Sequence, residues 1–420
     1  MLNNALSPVS TAASDSGNAT TLREWLSVVI VAIGAFAFVT TEFLPVGLLP
    51  KIAADLGVTQ GTAGLMVTVP GIIAAIAAPG LMLGAGRVNR RSVFLLLTAA
   101  LLVSNVICAF APNFPVMLLG RALLGAALGG FWTLATAAAG RLVRETDAAR
   151  AMALILTGVT CATVIGVPLG TFIAGLASWR AAFAATAVLV AIALLAQAWF
   201  VPSLPSDKAM RLDDLMQLLR RPYARRCLLM VGLFFGAHFC SYTYITPFLL
   251  HDAHFSMSGI TMMLLAFGAI GFVSNLVTSL AVKRSLSWPT AVIVVLLMAT
   301  LLLLPLVQHS EMSVVLLVCA WGVAFGGIPL CGSLWSQRAA PDLPEAGSAL
   351  LISTVQIAIA LGSSTGGVIV DHAGISYDFV LGAVLALMSL VALKMIVGRE
   401  KRRRVAHSTP RASIRTAVES

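Results

Sequence analysis

Residues 25 to 50 read WLSVVIVAIGAFAFVTTEFLPVGLLP, a run in which Glu42 is the one charged side chain. A helix rises about 1.5 Å per residue and the hydrocarbon layer of a bilayer is about 30 Å thick, so about 20 apolar residues cross it. This stretch is long enough, and comparable runs follow near 61–84, 92–111, 115–139, 151–176 and 180–201. After a polar segment a second set lies near 226–250, 258–281, 289–307, 313–336, 347–371 and 377–398. The runs lack the alternation of barrel strands, and backbone left unpaired in lipid is costly, so the spans are expected to be helices. The expected fold class is all-α, a polytopic membrane protein with twelve transmembrane helices. A chain of 420 residues that is 59% hydrophobic and 10% charged has more apolar surface than a water-soluble core can hide.

The net charge of +10 raises the question of nucleic acid, and the placement of the charges answers it. With an even number of spans both termini share one face, and all but three of the 27 Lys and Arg lie there. The exceptions are Lys51, Arg180 and Arg121, the last inside a span. This asymmetry is the positive-inside pattern, which predicts cytoplasmic termini in a cell inner membrane. The basic run Lys401–Arg404 suits anionic lipid headgroups, so the expected partners are the bilayer, a small-molecule substrate and protons, with no nucleic acid. The first 20 residues are polar and lack an apolar core, and they read as a tail rather than a signal peptide. The six cysteines are scattered through apolar runs without paired spacing.

An internal repeat is visible in the spacing. Gly129, Gly130 and Arg141 recur 197 positions later as Gly326, Gly327 and Arg338. Gly166, Gly170 and Phe183 recur 196 positions later as Gly362, Gly366 and Phe379. Two sets at nearly one offset predict two parallel six-helix repeats, the footprint of a transporter that rocks one half against the other. The expected organisation is a disordered cytoplasmic tail (1–24), an N-terminal bundle (25–201), a cytoplasmic linker (202–225), a C-terminal bundle (226–398) and a basic cytoplasmic tail (399–420). The molecule is expected to be a monomer.

Glu42 is the acidic residue set well inside a predicted span. An intramembrane carboxyl must be paired, hydrated or protonated, which suits a proton carrier and also a structural acid held by local hydrogen bonds. Arg121 stays charged and needs an anion, carbonyls or water around it, so it reads as a coupling residue or as a static anchor between helices. Pro45 and Pro168 interrupt the backbone bonding of their spans. Gly125 with Gly129, Gly166 with Gly170 and Gly362 with Gly366 are small residues four apart, suited to close helix packing or to surfaces that slide between states. A flat substrate needs apolar faces and a few hydrogen-bonding groups, and Phe131, Trp132, His238, Tyr242, Tyr244, Trp335 and Gln356 are candidates to supply them; each is also at home as a core residue.

Thr41-Glu42-Phe43-Leu44-Pro45, Gly120-Arg121 with Gly125, and Gly158 with Gly166-Val167-Pro168-Leu169-Gly170 resemble the acidic, arginine and antiporter motifs of the twelve-span drug:proton antiporter branch of the major facilitator superfamily. Val167 stands where many members have glycine, and Gly86 stands where the loop after the second span usually has aspartate. The resemblance implies the major facilitator fold, with Arg121 acting in concert with Glu42 in proton coupling. The segment from Leu119 through Trp132, Trp179-Arg180, Tyr244-Ile245 with Pro247, Glu345-Ala346-Gly347-Ser348 and Gln356 are similar to the purine ribonucleoside efflux pumps of that branch. That implies export of inosine- or guanosine-like compounds, with a multidrug or sugar exporter of the same superfamily as the alternative. Nothing in the residues reads as an enzyme: no His-Glu-x-x-His, no catalytic cluster within the spans and no phosphate-binding Gly-rich loop. No cofactor and no metal are expected.

Overall fold

The computed structural model describes residues 20–84, 88–203 and 212–408. Twelve helices there are long and apolar enough to cross a bilayer. The first six are α1 (Leu22–Leu56), α2 (Gln60–Leu81), α3 (Arg90–Ala109), α4 (Phe114–Trp132), α5 (Arg150–Leu176) and α6 (Trp179–Phe200). The second six are α7 (Pro222–Asp252), α8 (Met257–Ala281), α9 (Ser287–Val307), α10 (Glu311–Ala339), α11 (Ala346–His372) and α12 (Ile375–Gly398). Their starts are written locally. Thr21 and Glu24 form a reciprocal capping box on α1, and Asn113, Ser178 and Ser256 accept from backbone N–H groups in the first turns of α4, α6 and α8. Gly57 ends α1 in the left-handed region at φ 66°, where a side chain would be strained.

Several boundaries differ from the sequence reading. Helix α1 begins at Leu22 and runs past Pro50 to Leu56, and the last helix continues to Ser408. Charged Lys, Arg and Glu end a hydrophobic run without ending a helix, because they are good helix formers. The linker holds a short helix, Leu212–Arg220, and α7 starts before Arg226, at Pro222. The tails and linker expected at 1–19, 204–211 and 409–420, and Gly86, lie outside the described residues.

Packing follows the repeat. In the first half α2 and α3 pack on α4, α3 on α6, and α1 on α5 and α6; in the second half each pair recurs six helices later. Between the halves α2 runs along α11 and α8 along α5, again related by the same exchange. The glycine pairs lie inside the halves. A Cβ on Gly125 or Gly129 would stand 2.5 Å from the Pro70 or Ala74 carbonyl of α2, and one on Gly362 or Gly366 would stand 2.6 or 2.7 Å from the Gly236 or Cys240 carbonyl of α7. Gly166 and Gly170 face the side chains of Thr40 and Leu44 of α1 at similarly short range. They hold helices together within a half and are not the surfaces between halves. That role falls to glycines the sequence reading passed over: Gly71 against Gln356 and Ala360, and Gly268 against the Thr163–Val164 backbone.

Candidate functional site

Glu42 sits midway along α1 and is 5% exposed. Its Oε1 accepts from Gln356 Nε2 on α11 at 3.1 Å, so the carboxyl bridges the two halves. Next to it Phe43 stacks on Phe239 of α7, ring centroids 5.3 Å apart, a second contact across the same seam.

Arg121 is fully buried on α4, and its charge is met by carbonyls rather than by the Glu42 carboxylate. Nε donates to the Met66 carbonyl at 2.6 Å, Nη1 to that of Thr41 at 2.7 Å and Nη2 to that of Glu42 at 2.8 Å. The reason lies in two prolines. A proline has no N–H for the carbonyl four residues before it, so Pro45 frees the Thr41 carbonyl and Pro70 frees that of Met66. The guanidinium fork supplies both missing donors and ties α1, α2 and α4 together at the break. No hydrogen bond joins the Arg121 guanidinium to the Glu42 carboxylate here: its three nitrogens donate to backbone carbonyls. Asn105 Nδ2 supports the same place by donating to Thr41 Oγ1 at 3.1 Å.

On the other side of the seam His238, Phe239 and Tyr242 of α7, Phe267 of α8, and Trp321 and Phe325 of α10 form one aromatic cluster. The His238 ring stacks on Phe325 at 3.9 Å and on Tyr242 at 4.7 Å. Trp321 Nε1, which can only donate, donates to His238 Nδ1 at 3.0 Å, so in the neutral imidazole the proton is on Nε2. Nε2 is buried without a partner. Through Phe239 the cluster reaches Phe43 and so the neighbourhood of Glu42.

The structure brings Glu42, Gln356, His238 and Tyr242 to this region and sends the other candidates elsewhere. Phe131 is sealed in the first half's core, stacked on Phe38 at 4.2 Å and edge-on to Phe94, with half-buried Trp132 beside it. Trp335 is buried within the second half, its Nε1 donating to Thr290 Oγ1 at 3.1 Å. Tyr244 is buried at the end of the bundle away from the termini, where its hydroxyl donates to the Ser363 carbonyl at 2.7 Å and lies against Gly61. At that end Asp371 of α11 accepts from Thr59 Oγ1 at 2.6 Å and from the Gly61 N–H at 2.8 Å, and Thr261 of α8 donates to Thr171 of α5 at 2.9 Å. These contacts close that end. Pro168 follows a π-helical turn at Ala162–Gly166, so the regular hydrogen-bond ladder of α5 is interrupted where it meets Gly268 of α8. The sequence reading missed Phe43, Phe239, Phe267, Trp321, Phe325 and the buried Asp378; the signal for the cluster was there, since His238 with Tyr242 and Trp321 with Phe325 are each one helical turn apart. Among the described residues no group of three His, Cys, Asp or Glu side chains converges to hold a metal.

Twelve spanning helices in two repeat-related halves, with a carboxyl bridging them, are the architecture of a membrane transporter. The sequence profile of the Major Facilitator Superfamily matches residues 31–351, and the chain belongs to that family. It is 38% identical over 390 residues to a Pseudomonas aeruginosa protein named Transcription regulatory protein OpdE, covering 90% of this chain and 94% of that one. It is also 31% identical over 384 residues to the Purine ribonucleoside efflux pump NepI of Escherichia coli, covering 91% and 97%. Among solved structures the fold is shared with a bacterial homologue of the human lysosomal transporter Spinster, with TM-score 0.73, 15% identity and coverage of 91% and 98%. The human organic anion transporter TETRAN shares it too, with TM-score 0.65, 18% identity and coverage of 88% and 99%.

Proposed function

We propose that the protein exports small organic molecules, purine ribonucleosides such as inosine and guanosine foremost, in exchange for protons by alternating access. In this reading it lies in the cell inner membrane with both termini cytoplasmic, so the end closed by Tyr244, Thr59 and Asp371 is the outer one. The observation that carries the reading is the position of Glu42: its carboxyl touches the opposite half through Gln356. A proton taken up there changes a bond that must break when the halves part. The buried His238 Nε2–H, which has no acceptor in this state, suits a heteroaromatic base that offers one. The nucleoside assignment draws on the relatives named as purine ribonucleoside efflux pumps. A membrane potential of about 100 mV supplies about 2.3 kcal/mol per charge moved, enough for a roughly fifty-fold substrate gradient.

The test is substrate-evoked proton flux in proteoliposomes, with inosine, guanosine, adenosine, arabinose and a cationic dye compared under one imposed pH gradient. Flux with inosine or guanosine that vanishes in Glu42→Gln is the expected result. Flux with the sugar or dye alone overturns the substrate, and full flux in Glu42→Gln removes Glu42 from the mechanism.

A further inference from the structure

Asp378, in the first turn of α12, is fully buried. Cys240 Sγ donates to its Oδ1 at 2.7 Å, while Oδ2 has no hydrogen-bond partner, so the helix start does not cap it. Ser241 reaches its backbone carbonyl at 3.5 Å. The helices packed on α12 are α7, α9 and α11. From α7 the titratable groups facing Asp378 are Cys240 and Tyr244, with His238 behind Trp321 and held by it. From α11 they are Asp371 and His372, both exposed, the latter with Nδ1 on the Val368 carbonyl. The α9 segment Ser287–Leu303 has no ionisable side chain. The groups in contact with Asp378 thus include no cation. A carboxylate shut away from bulk solvent with no cation beside it is costly, whereas the neutral acid has one O–H to place.

Its position ties that cost to movement. The point where a Cβ on Gly366 would stand is 2.6 Å from Asp378 Oδ1, 2.7 Å from the Cys240 carbonyl and 3.0 Å from Tyr244 Cε2. Tyr244 is one of the side chains that join the halves at this end, against Gly61. Drawing Tyr244 away from Gly61 opens the far end and lets water reach the acid; closing it expels that water. We propose that Asp378 is a second proton-binding site, separate from Glu42, which is filled while the end away from the termini is closed and empties when that end opens. The proposal rests on the alternating-access reading and not on the role of Glu42.

The experiment is a distance measurement by pulsed electron paramagnetic resonance on the full chain in lipid nanodiscs. Spin labels on non-cysteine handles replace the exposed Ala54 and Ala373, which flank the closed end on opposite halves. A Glu42→Gln background removes the other buried acid. Linkage to one proton makes the ratio of closed to open molecules fall by up to about tenfold per pH unit between the values at which the acid titrates in the open and the closed state, and level off above. Asp378→Asn, a mimic of the neutral acid, is expected to abolish that slope and keep the end closed. Infrared difference spectra of the same Glu42→Gln protein give a second measure that does not require the asparagine variant to fold: a protonated-carboxyl band lost at high pH, displaced by Cys240→Ala because Oδ1 loses its donor. A pH slope that persists in Asp378→Asn, or a carboxyl band indifferent to Cys240→Ala, overturns the proposal. A label distance that never changes under any condition overturns the alternating-access reading with it.

Discussion

Replacing Arg121 by methionine tests whether proline-freed carbonyls are what this arginine serves. The side chain donates to three backbone oxygens, of which those of Thr41 and Met66 have no helical donor because Pro45 and Pro70 stand four residues on. Hydrogen bonds to a charged group contribute about 1.5–3 kcal/mol each, and a buried carbonyl left without a partner costs about 1–3 kcal/mol. Offset by the charge no longer buried, Arg121→Met is expected to destabilise the fold by about 2–4 kcal/mol. The sharper quantity is the coupling with Pro45→Ala. That substitution gives Thr41 an N–H from residue 45, which competes with the guanidinium in the parent and fills a vacancy in the Arg121→Met protein. Pro45→Ala is therefore expected to be more stabilising by about 1 kcal/mol in the Arg121→Met background than alone. Pro70→Ala should behave likewise through Met66. Reversible unfolding of the full chain in mixed micelles, followed by circular dichroism, reads all four corners of the cycle. Additivity within about 0.5 kcal/mol would refute the reasoning, since independent sites add to that tolerance.

Three further outcomes follow from the seam between the halves and from its flank. A Cβ on Gly268 would stand 2.6 Å from the Val164 Cα, so Gly268→Val should force α5 from α8 and depress transport at least tenfold while leaving membrane insertion intact, as read by uptake assays and surface yield. Asp371→Asn weakens the two bonds from Thr59 and Gly61, and a loss of about 1–2 kcal/mol should appear as a larger open fraction in cross-seam label distances. Outside the spans, Arg221 donates through both Nη atoms to Asp342 at 2.6 Å and holds that carboxyl at about 2, below its ordinary 3.8. A depressed acid stabilises above its ordinary value and stops doing so as pH falls through the lower one. The melting-temperature gap between the parent and Asp342→Asn should thus be present at pH 5 to 7 and close as the pH approaches 2.

The fold was legible because lipid imposes a crude rule on sequence: a span must be long, apolar and helical, and residues 25–50 satisfy it without reference to any neighbour. The repeat was legible for a related reason, since Gly129 and Gly166 admit a neighbouring helix at close range and their counterparts Gly326 and Gly362 do so again in the second half. Which partner they admit was not written in the spacing, and they proved to bind helices within a half. The site was readable in its charges and less so in its rings. Glu42 and Arg121 stand out because ions inside a span are expensive, but an aromatic ring costs nothing in lipid or core, so Phe131 and Trp335 looked no different from His238 and Tyr242. Direction around the helix axis separates them, and it shows in the one-turn spacing of Trp321 with Phe325 facing that of His238 with Tyr242. The partner of Arg121 was hidden for another reason. Two prolines on two helices each leave one oxygen free, and that they open toward the same guanidinium is a fact of packing. With its guanidinium donating to backbone, Arg121 leaves the Glu42 carboxyl to Gln356, so the acid's side-chain hydrogen bond crosses the seam between the halves.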